Sequence, residues 1–241
     1  VLKNVALSGL PHIGNIDSIN GPLDISERSA ETTGVSGKFL TNTFLAKGSL
    51  KDYKNPALHL VINSNEFNVS DYLKLLPAKF KDKLKGAELS GKSSFNLVFE
   101  KIFAEEKPSI FEAKLSLTNT FFKNLKPEIE LKEIGGDILI HYDDLLFKNL
   151  NFSWKDSPYS LYLKLADFKN PLLEAQLKGK ELLFKTDFLV KENNAHINNC
   201  TIKFRSSDIT ALGDIYTIKN PVFNLYLKGK VDLDDMGFFF P

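Results

Sequence analysis

Two-residue alternation of apolar and polar side chains recurs along this chain, and it constrains the fold more than any other feature. Phe95, Leu97 and Phe99 alternate with Ser94 and Asn96, and Phe111, Ala113, Leu115 and Leu117 alternate with Glu112, Lys114 and Ser116. The same pattern runs through Leu173, Ala175 and Leu177, through Ile202 and Phe204, and through Phe223, Leu225 and Leu227. Successive side chains of a strand point to opposite faces, so each run predicts a β-strand with one oily face and one wet face. Antiparallel sheets tolerate that division.

The runs are punctuated by a repeated phrase. Lys-Asn-Pro stands at 54–56, 169–171 and 219–221, each time between two alternating runs. Asn favours turn geometry, and Pro fixes φ and withholds a ladder donor, so the phrase reads as the turn between two strands. Lys54 and Lys169 are 115 residues apart, as are Gly21 and Gly136, and the two stretches align without a gap from Gly21 to beyond Asn65. Leu23 then meets Ile138, Phe39 meets Trp154, and Phe44 meets Tyr159. A third copy follows 50 residues later, and Lys107-Pro108 marks a weaker one. Self-similarity at a fixed period signals a repeat architecture. The expected units are 14–77, 86–125, 130–190 and 193–241.

One strand every 10 to 12 residues predicts about 18 strands, and a continuous sheet of that size must curl or split because twist accumulates. A gapless internal register favours one curled sheet over two packed sheets. The fold class expected is therefore mainly β: an elongated, curled antiparallel sheet, a repeating β-groove, with one or two short helices near 70–85. There Ser70 is a cap for "DYLKLLPAKFKDKLK", with Tyr72, Leu76, Phe80 and Leu84 on one face, a break at Pro77 and a stop at Gly86. Its lysine side reads as a solvated face, with lipid head groups as the sharper alternative.

Composition bounds the function. Across 241 residues the net charge is +1, so nothing points to nucleic acid, and 43% hydrophobic content is too high for disorder. No run of roughly 18 apolar residues is present, and the chain starts without Met, which reads as a piece of a longer protein. Cys200 is the single cysteine, so no internal disulfide and no cysteine-based metal cluster can form. His12, His59, His141 and His196 are scattered, and "HYDD" at 141–144 reads as a polar turn rather than an acid–base pair. "DLDDMG" from Asp232 opens like a calcium loop, but Met236 occupies a ligand position and no glutamate follows at the twelfth. Asn68, Asn151 and Asn199 lie in glycosylation sequons, relevant only in a eukaryotic secretory setting. No phosphate loop, nucleophile elbow or zinc-protease motif occurs, so neither an enzyme nor a cofactor is expected.

The stretches "SINGPLDI" and "VSGKFLTNTFLAKGSLKDYKNPALHLVINSNEFNVSDYLKLLP" resemble the repeated region of AsmA-like proteins, as does "EIGGDILIHYDDLLFKNLNFSWKDSPYSLYLKLADFKNPLLEAQLKG". The C-terminal "NNAHINNCTIKFRSSDITALGDIYTIKNPVFNLYLKGKVDLDD" is similar to the end of such a unit. The resemblance covers essentially the whole chain and departs from the pattern at Leu163 and over 101–132. AsmA-like proteins and their TamB relatives are bacterial envelope proteins with an inner-membrane anchor and a long periplasmic β-groove. The resemblance thus implies a non-enzymatic lipid-transfer segment in the periplasm that moves phospholipid between membranes. Its expected partners are phospholipid acyl chains, a membrane reached through other parts of the parent protein, and envelope proteins. On that reading Phe95, Leu97, Phe111, Leu115, Leu163, Leu173, Leu177, Ile202, Phe204, Phe223, Leu225 and Leu227 line the groove, while Lys114, Glu174, Lys203 and Lys228 point outward. The alternative is an envelope-assembly scaffold built as a closed sandwich, its apolar face buried by a second sheet or a partner.

Overall fold

The computed structural model describes residues 1–10, 14–75, 84, 86–125, 128–218 and 220–235. Its strands are β1 (Leu2–Leu10), β2 (Gly14–Gly21), β3 (Asp24–Ile25), β4 (Ser29–Phe39), β5 (Asn42–Lys51), β6 (Ala57–Asn68), β7 (Glu88–Ile102) and β8 (Ile110–Leu125). They continue as β9 (Glu128–His141), β10 (Asp144–Trp154), β11 (Ser157–Ala166), β12 (Leu172–Gly179), β13 (Leu182–Lys191), β14 (Asn194–Phe204), β15 (Ser207–Tyr216) and β16 (Val222–Lys230). All belong to one antiparallel sheet, not closed into a barrel, in which neighbours follow chain order; only β3 stands aside, against β4. The closed sandwich, which needs two sheets, is not this architecture. Sixteen strands replace the expected eighteen because β7, β8 and β9 run to 15, 16 and 14 residues. The chain divides into two compact units, Val1–Tyr142 and Asp143–Pro241. The repeat expected over 130–190 starts on β9 of the first and continues through β10–β13 of the second.

A short helix begins at Ser70, as the sequence predicts. Helix α1 covers Ser70–Leu75, six residues, while Leu84 and Gly86 lie in a turn. The remainder of the expected helix, including Leu76, Pro77 and Phe80, lies outside the described residues. Residues 233–235, after β16, are helical.

The repeat is written in the backbone as well as in the side chains. Left-handed φ values recur 115 residues apart: Asn4 and Asn119 at 49° and 48°, Ser18 and Glu133 at 53° and 54°, Leu40 and Lys155 at 55° and 49°, Asp52 and Asp167 at 50° and 52°. Gly21 and Gly136 match at 143° and 131°. The register slips coincide too. Between β4 and β5 the ladder shifts from Thr32 to Val35, between β10 and β11 from Phe147 to Leu150, and between β14 and β15 from Ile197 to Cys200. Within the strands, at Asn4, Ser18, Asn119 and Glu133, the left-handed residue stands at a register slip, and such a bulge bends its strand and tightens its twist. The correspondence begins earlier than Gly21: Leu2 opposite Gly21 and Val5 opposite Ile19 recur as Leu117 opposite Gly136 and Thr120 opposite Ile134.

The Lys-Asn-Pro turns at 54–56 and 169–171 sit where expected, between β5 and β6 and between β11 and β12; in the third copy Lys219 lies outside the described residues, and Asn220 and Pro221 stand between β15 and β16. Each depends on the residue two places before Lys. Asp52 Oδ1 accepts the Lys54 N–H at 3.2 Å and Asp167 Oδ1 accepts the Lys169 N–H at 3.0 Å. Those backbone hydrogen bonds, from Asn170 and Lys169, hold the Asp167 carboxyl below the usual aspartate range. Thr217 takes the same position in the third copy and donates its hydroxyl to the Asn220 carbonyl at 2.7 Å.

A Cβ at Gly21 would stand 2.5 Å from the Gly34 carbonyl oxygen and 2.9 Å from Val35 Cα, on a backbone few other residues adopt. At Gly34 the added methyl would meet only Leu45 Cδ1, at 3.6 Å. Gly21→Ala should therefore cost about 2 kcal/mol, a few degrees of Tm, and Gly34→Ala much less, as thermal unfolding of the two variants will show.

Candidate functional site: an apolar cavity in the first unit

Register decides which alternating residues share a face. In the first unit Phe95 stands opposite Leu115, Leu97 opposite Ala113 and Phe99 opposite Phe111, while on the other side Leu97 stands opposite Ile62. The Phe99 and Phe111 rings meet edge to face, centroids 6.3 Å apart. In the second unit Leu163 lies opposite Ala175, Leu173 opposite Phe188, and Leu177 opposite Phe184, which faces Ile202 in turn. Phe204 faces Ser207, Gly213 faces Leu225, Ala211 faces Leu227 and Ile215 faces Phe223. Within each unit the expected groove residues thus fall on one face of the sheet. Most are half-buried; Phe204 is buried, and Phe223 and Leu227 are 60% and 63% exposed.

The other face is ionic. Lys114 pairs with Asp137 at 2.9 Å, Lys203 with Asp208 at 2.6 Å, and the register sets Lys164, Glu174 and Asp187 side by side across β11, β12 and β13. Lys228 lies on this face opposite Thr210. His59 and His196 also work here, against Glu100 at 2.9 Å and Asp214 at 2.7 Å, as cross-strand partners. His141 closes β9 ahead of the turn at Tyr142 and Asp143, and His12 lies outside the described residues.

On the apolar face of the first unit lies a cavity of about 330 Å³, lined by Ile16, Phe39, Asn42, Thr43, Phe44, Ile62, Phe67, Tyr72, Phe95, Leu97 and Leu115. These come from β2, β4, β5, β6, β7, β8 and α1. Along the sheet, β2 and β8 are five inter-strand steps apart, roughly 24 Å if flat. One small cavity touches both, so this face of the first unit is concave. Of the sequence-derived residues, Phe95, Leu97 and Leu115 line the cavity, and Phe111 sits beyond it on the same face. The equivalents of Phe39 and Phe44 in the second unit, Trp154 and Tyr159, hold their rings 5.8 Å apart, with Phe152 stacked on Tyr159.

One end of the cavity is walled by α1. Tyr72 stacks on Phe67 with centroids 4.7 Å apart and planes 9° off parallel, and Phe67 meets Phe95 edge to face at 5.4 Å. The Tyr72 hydroxyl reaches Ser93 Oγ at 2.7 Å, and burial pushes its pKa up. The helix is held by Asp71, 1% exposed, which accepts hydrogen bonds from Thr41 Oγ1 at 2.7 Å, Asn42 Nδ2 at 2.7 Å and Lys74 Nζ at 2.6 Å. Asn42 Oδ1 takes the Asn68 N–H at 2.6 Å, which completes a polar latch between α1 and the β4–β5 turn. The second unit has a latch of the same kind. Asp235 Oδ2, 5% exposed, accepts Ser207 Oγ at 2.8 Å and the Ser206 N–H at 3.2 Å from the β14–β15 turn. The segment that opens like a calcium loop therefore commits this carboxylate to the fold.

Sequence reasoning missed Ile16, Phe39, Phe44, Ile62, Phe67 and Tyr72 as cavity residues. Phe39 and Phe44 carried a signal, since both stood in the 115-residue alignment. Comparison with protein families, curated proteins and solved structures finds no match to this chain.

Burial raises the Asp71 pKa, but the hydrogen bonds from Lys74, Thr41 and Asn42 outweigh it, and the carboxyl titrates below the ordinary 3.8. A depressed folded value means the stabilisation is complete above the unfolded value and is lost as pH falls through the folded one. The first unit should hold its Tm down to about pH 4 and lose stability below it. Asp71→Ala, which strands Thr41 and Asn42, should cost about 2 kcal/mol at neutral pH and flatten that acid limb in a pH series of melting curves.

Proposed function

We propose that this chain is a lipid-binding segment of an AsmA/TamB-like envelope protein, in which the apolar face of the sheet carries phospholipid acyl chains between membranes. The observation that carries this reading is the concave apolar cavity, lined by side chains of six strands and one helix. Its volume, about 330 Å³, falls at the lower end of ligand-pocket sizes. Each CH₂ leaving water gains about 0.8 kcal/mol, so an acyl chain needs continuous apolar contact along its track, and the aligned alternating strands supply it. The ionic face and the charged turns leave the polar head group in solvent. No step of bond making is involved. The parent protein's inner-membrane anchor, its periplasmic location and its envelope partners belong to the same proposal.

The test compares neighbours on the two faces of β7. Protein purified from bacterial membranes is extracted with organic solvent and its lipid measured by mass spectrometry. Wild type should yield phospholipid in stoichiometric amount. Leu97→Asp puts a charge beside the cavity and should reduce the yield at least tenfold with the Tm nearly kept, because Leu97 is half-buried. Asn96→Asp, on the exposed face, should leave the yield unchanged. A lipid-free wild type, or equal yields from both variants, would sink the proposal.

A further inference from the structure

The cavity of the first unit has a definite size and a definite wall at one end. An apolar cavity of roughly 150 Å³ holds one benzene ring, so a cavity of about 330 Å³ holds on the order of a dozen carbons. That is most of one acyl chain and not two.

The wall at α1 is held from several sides. Tyr72, stacked on Phe67, donates its N–H to the Val69 carbonyl at 3.0 Å, and its hydroxyl meets Ser93 Oγ at 2.7 Å. Ser93, 2% exposed, donates in turn to the Phe67 carbonyl at 3.3 Å. Val69, 1% exposed, gives its own N–H to the Gly91 carbonyl of β7 at 3.2 Å. Behind the ring, Asn42 and Asp71 are committed to each other and to Asn68, Thr41 and Lys74. Each of these polar groups is engaged within the fold. A head group placed here would leave water without gaining a partner, whereas the methyl end of a chain has no such bonds to lose.

Given the reading of this face as a lipid site, we propose that the cavity takes one acyl chain, methyl end first against the Tyr72 ring, and that Tyr72 is the stop that sets the preferred chain length. Carbons beyond the cavity lie on the half-buried part of the apolar face, where one side of the chain stays wet and each gains less.

The probe is a series of saturated fatty acids from eight to eighteen carbons, titrated by calorimetry into the intact 241-residue chain. Affinity should rise about fourfold with each carbon until the cavity is full, near a dozen, and flatten beyond that break. The ω-hydroxy form of the twelve-carbon acid should bind at least tenfold more weakly than the plain acid, because its second polar end would be buried beside Tyr72. Tyr72→Ala opens space and should move the break to longer chains, Tyr72→Trp should move it to shorter ones, and Tyr72→Phe should leave it in place. The Trp and Phe variants keep an aromatic ring on Phe67, so the comparison stands even where Tyr72→Ala melts early. A wild type that binds no fatty acid would remove the lipid reading itself. Binding without a break in the series, equal affinity for the ω-hydroxy acid, or a break that Tyr72→Trp does not shift would overturn the stop and leave the lipid reading in place.

Discussion

An antiparallel sheet with one oily face must either cover that face or bend around what covers it, and here the bending is built into the backbone at fixed intervals. Bulges and left-handed residues recur 115 and 50 residues apart, at positions whose side chains have little in common: Ser18 with Glu133, Leu40 with Lys155 and Arg205. Each bulge adds twist where two strands pair, and repeated twist turns a flat face into a concave one. The cavity of the first unit follows, because residues of β2 and β8 meet only if the strands between them curve.

The described hydrophobic side chains that are fully buried number few, among them Phe39, Phe67, Val69 and Phe204. These four lie close in sequence to the two carboxylate latches, while Ala46 and Ile134 are buried in the middle of β5 and β9. Phe39 and Phe204 are equivalent in the repeat, each standing at the end of its strand before a hairpin turn. The latches supply at these ends what a second sheet would supply in a sandwich: Asp71 and Asp235 each tie a helical turn to the adjacent β-turn by short hydrogen bonds. A carboxyl so enclosed needs partners: Asp71 accepts hydrogen bonds on both oxygens and Asp235 accepts two on Oδ2. The middle of the apolar face is left half-buried.

Surface ion pairs on the opposite face add little stability one by one, roughly 0.2 to 1 kcal/mol each. Their larger effect is on register. Slipping any strand by one residue would turn its apolar side chains toward solvent and bring Lys and Glu onto the concave face, so alternation, charge pairing and turn chemistry all select the same alignment.

Much of this was legible in the sequence. Alternation fixes strand identity and the two faces locally, which is why Leu163, Leu173, Leu177, Ile202 and Leu225 could be assigned to one side before any pairing was known. The Lys-Asn-Pro turns were equally plain, since Asn and Pro act on their own backbone. Which residues would meet across several strands was not legible. That Phe95, Leu97 and Leu115 join Ile16, Phe44 and Tyr72 at one cavity depends on accumulated curvature, and curvature depends on how two strands pair rather than on either one alone. The bulge positions stayed hidden for the same reason: pairing forces Ser18 and Glu133 into left-handed backbone that their side chains do not favour. Asp71 looked like an ordinary first-turn acid, and only the folded chain brings Thr41 and Asn42, thirty residues away, to its carboxylate.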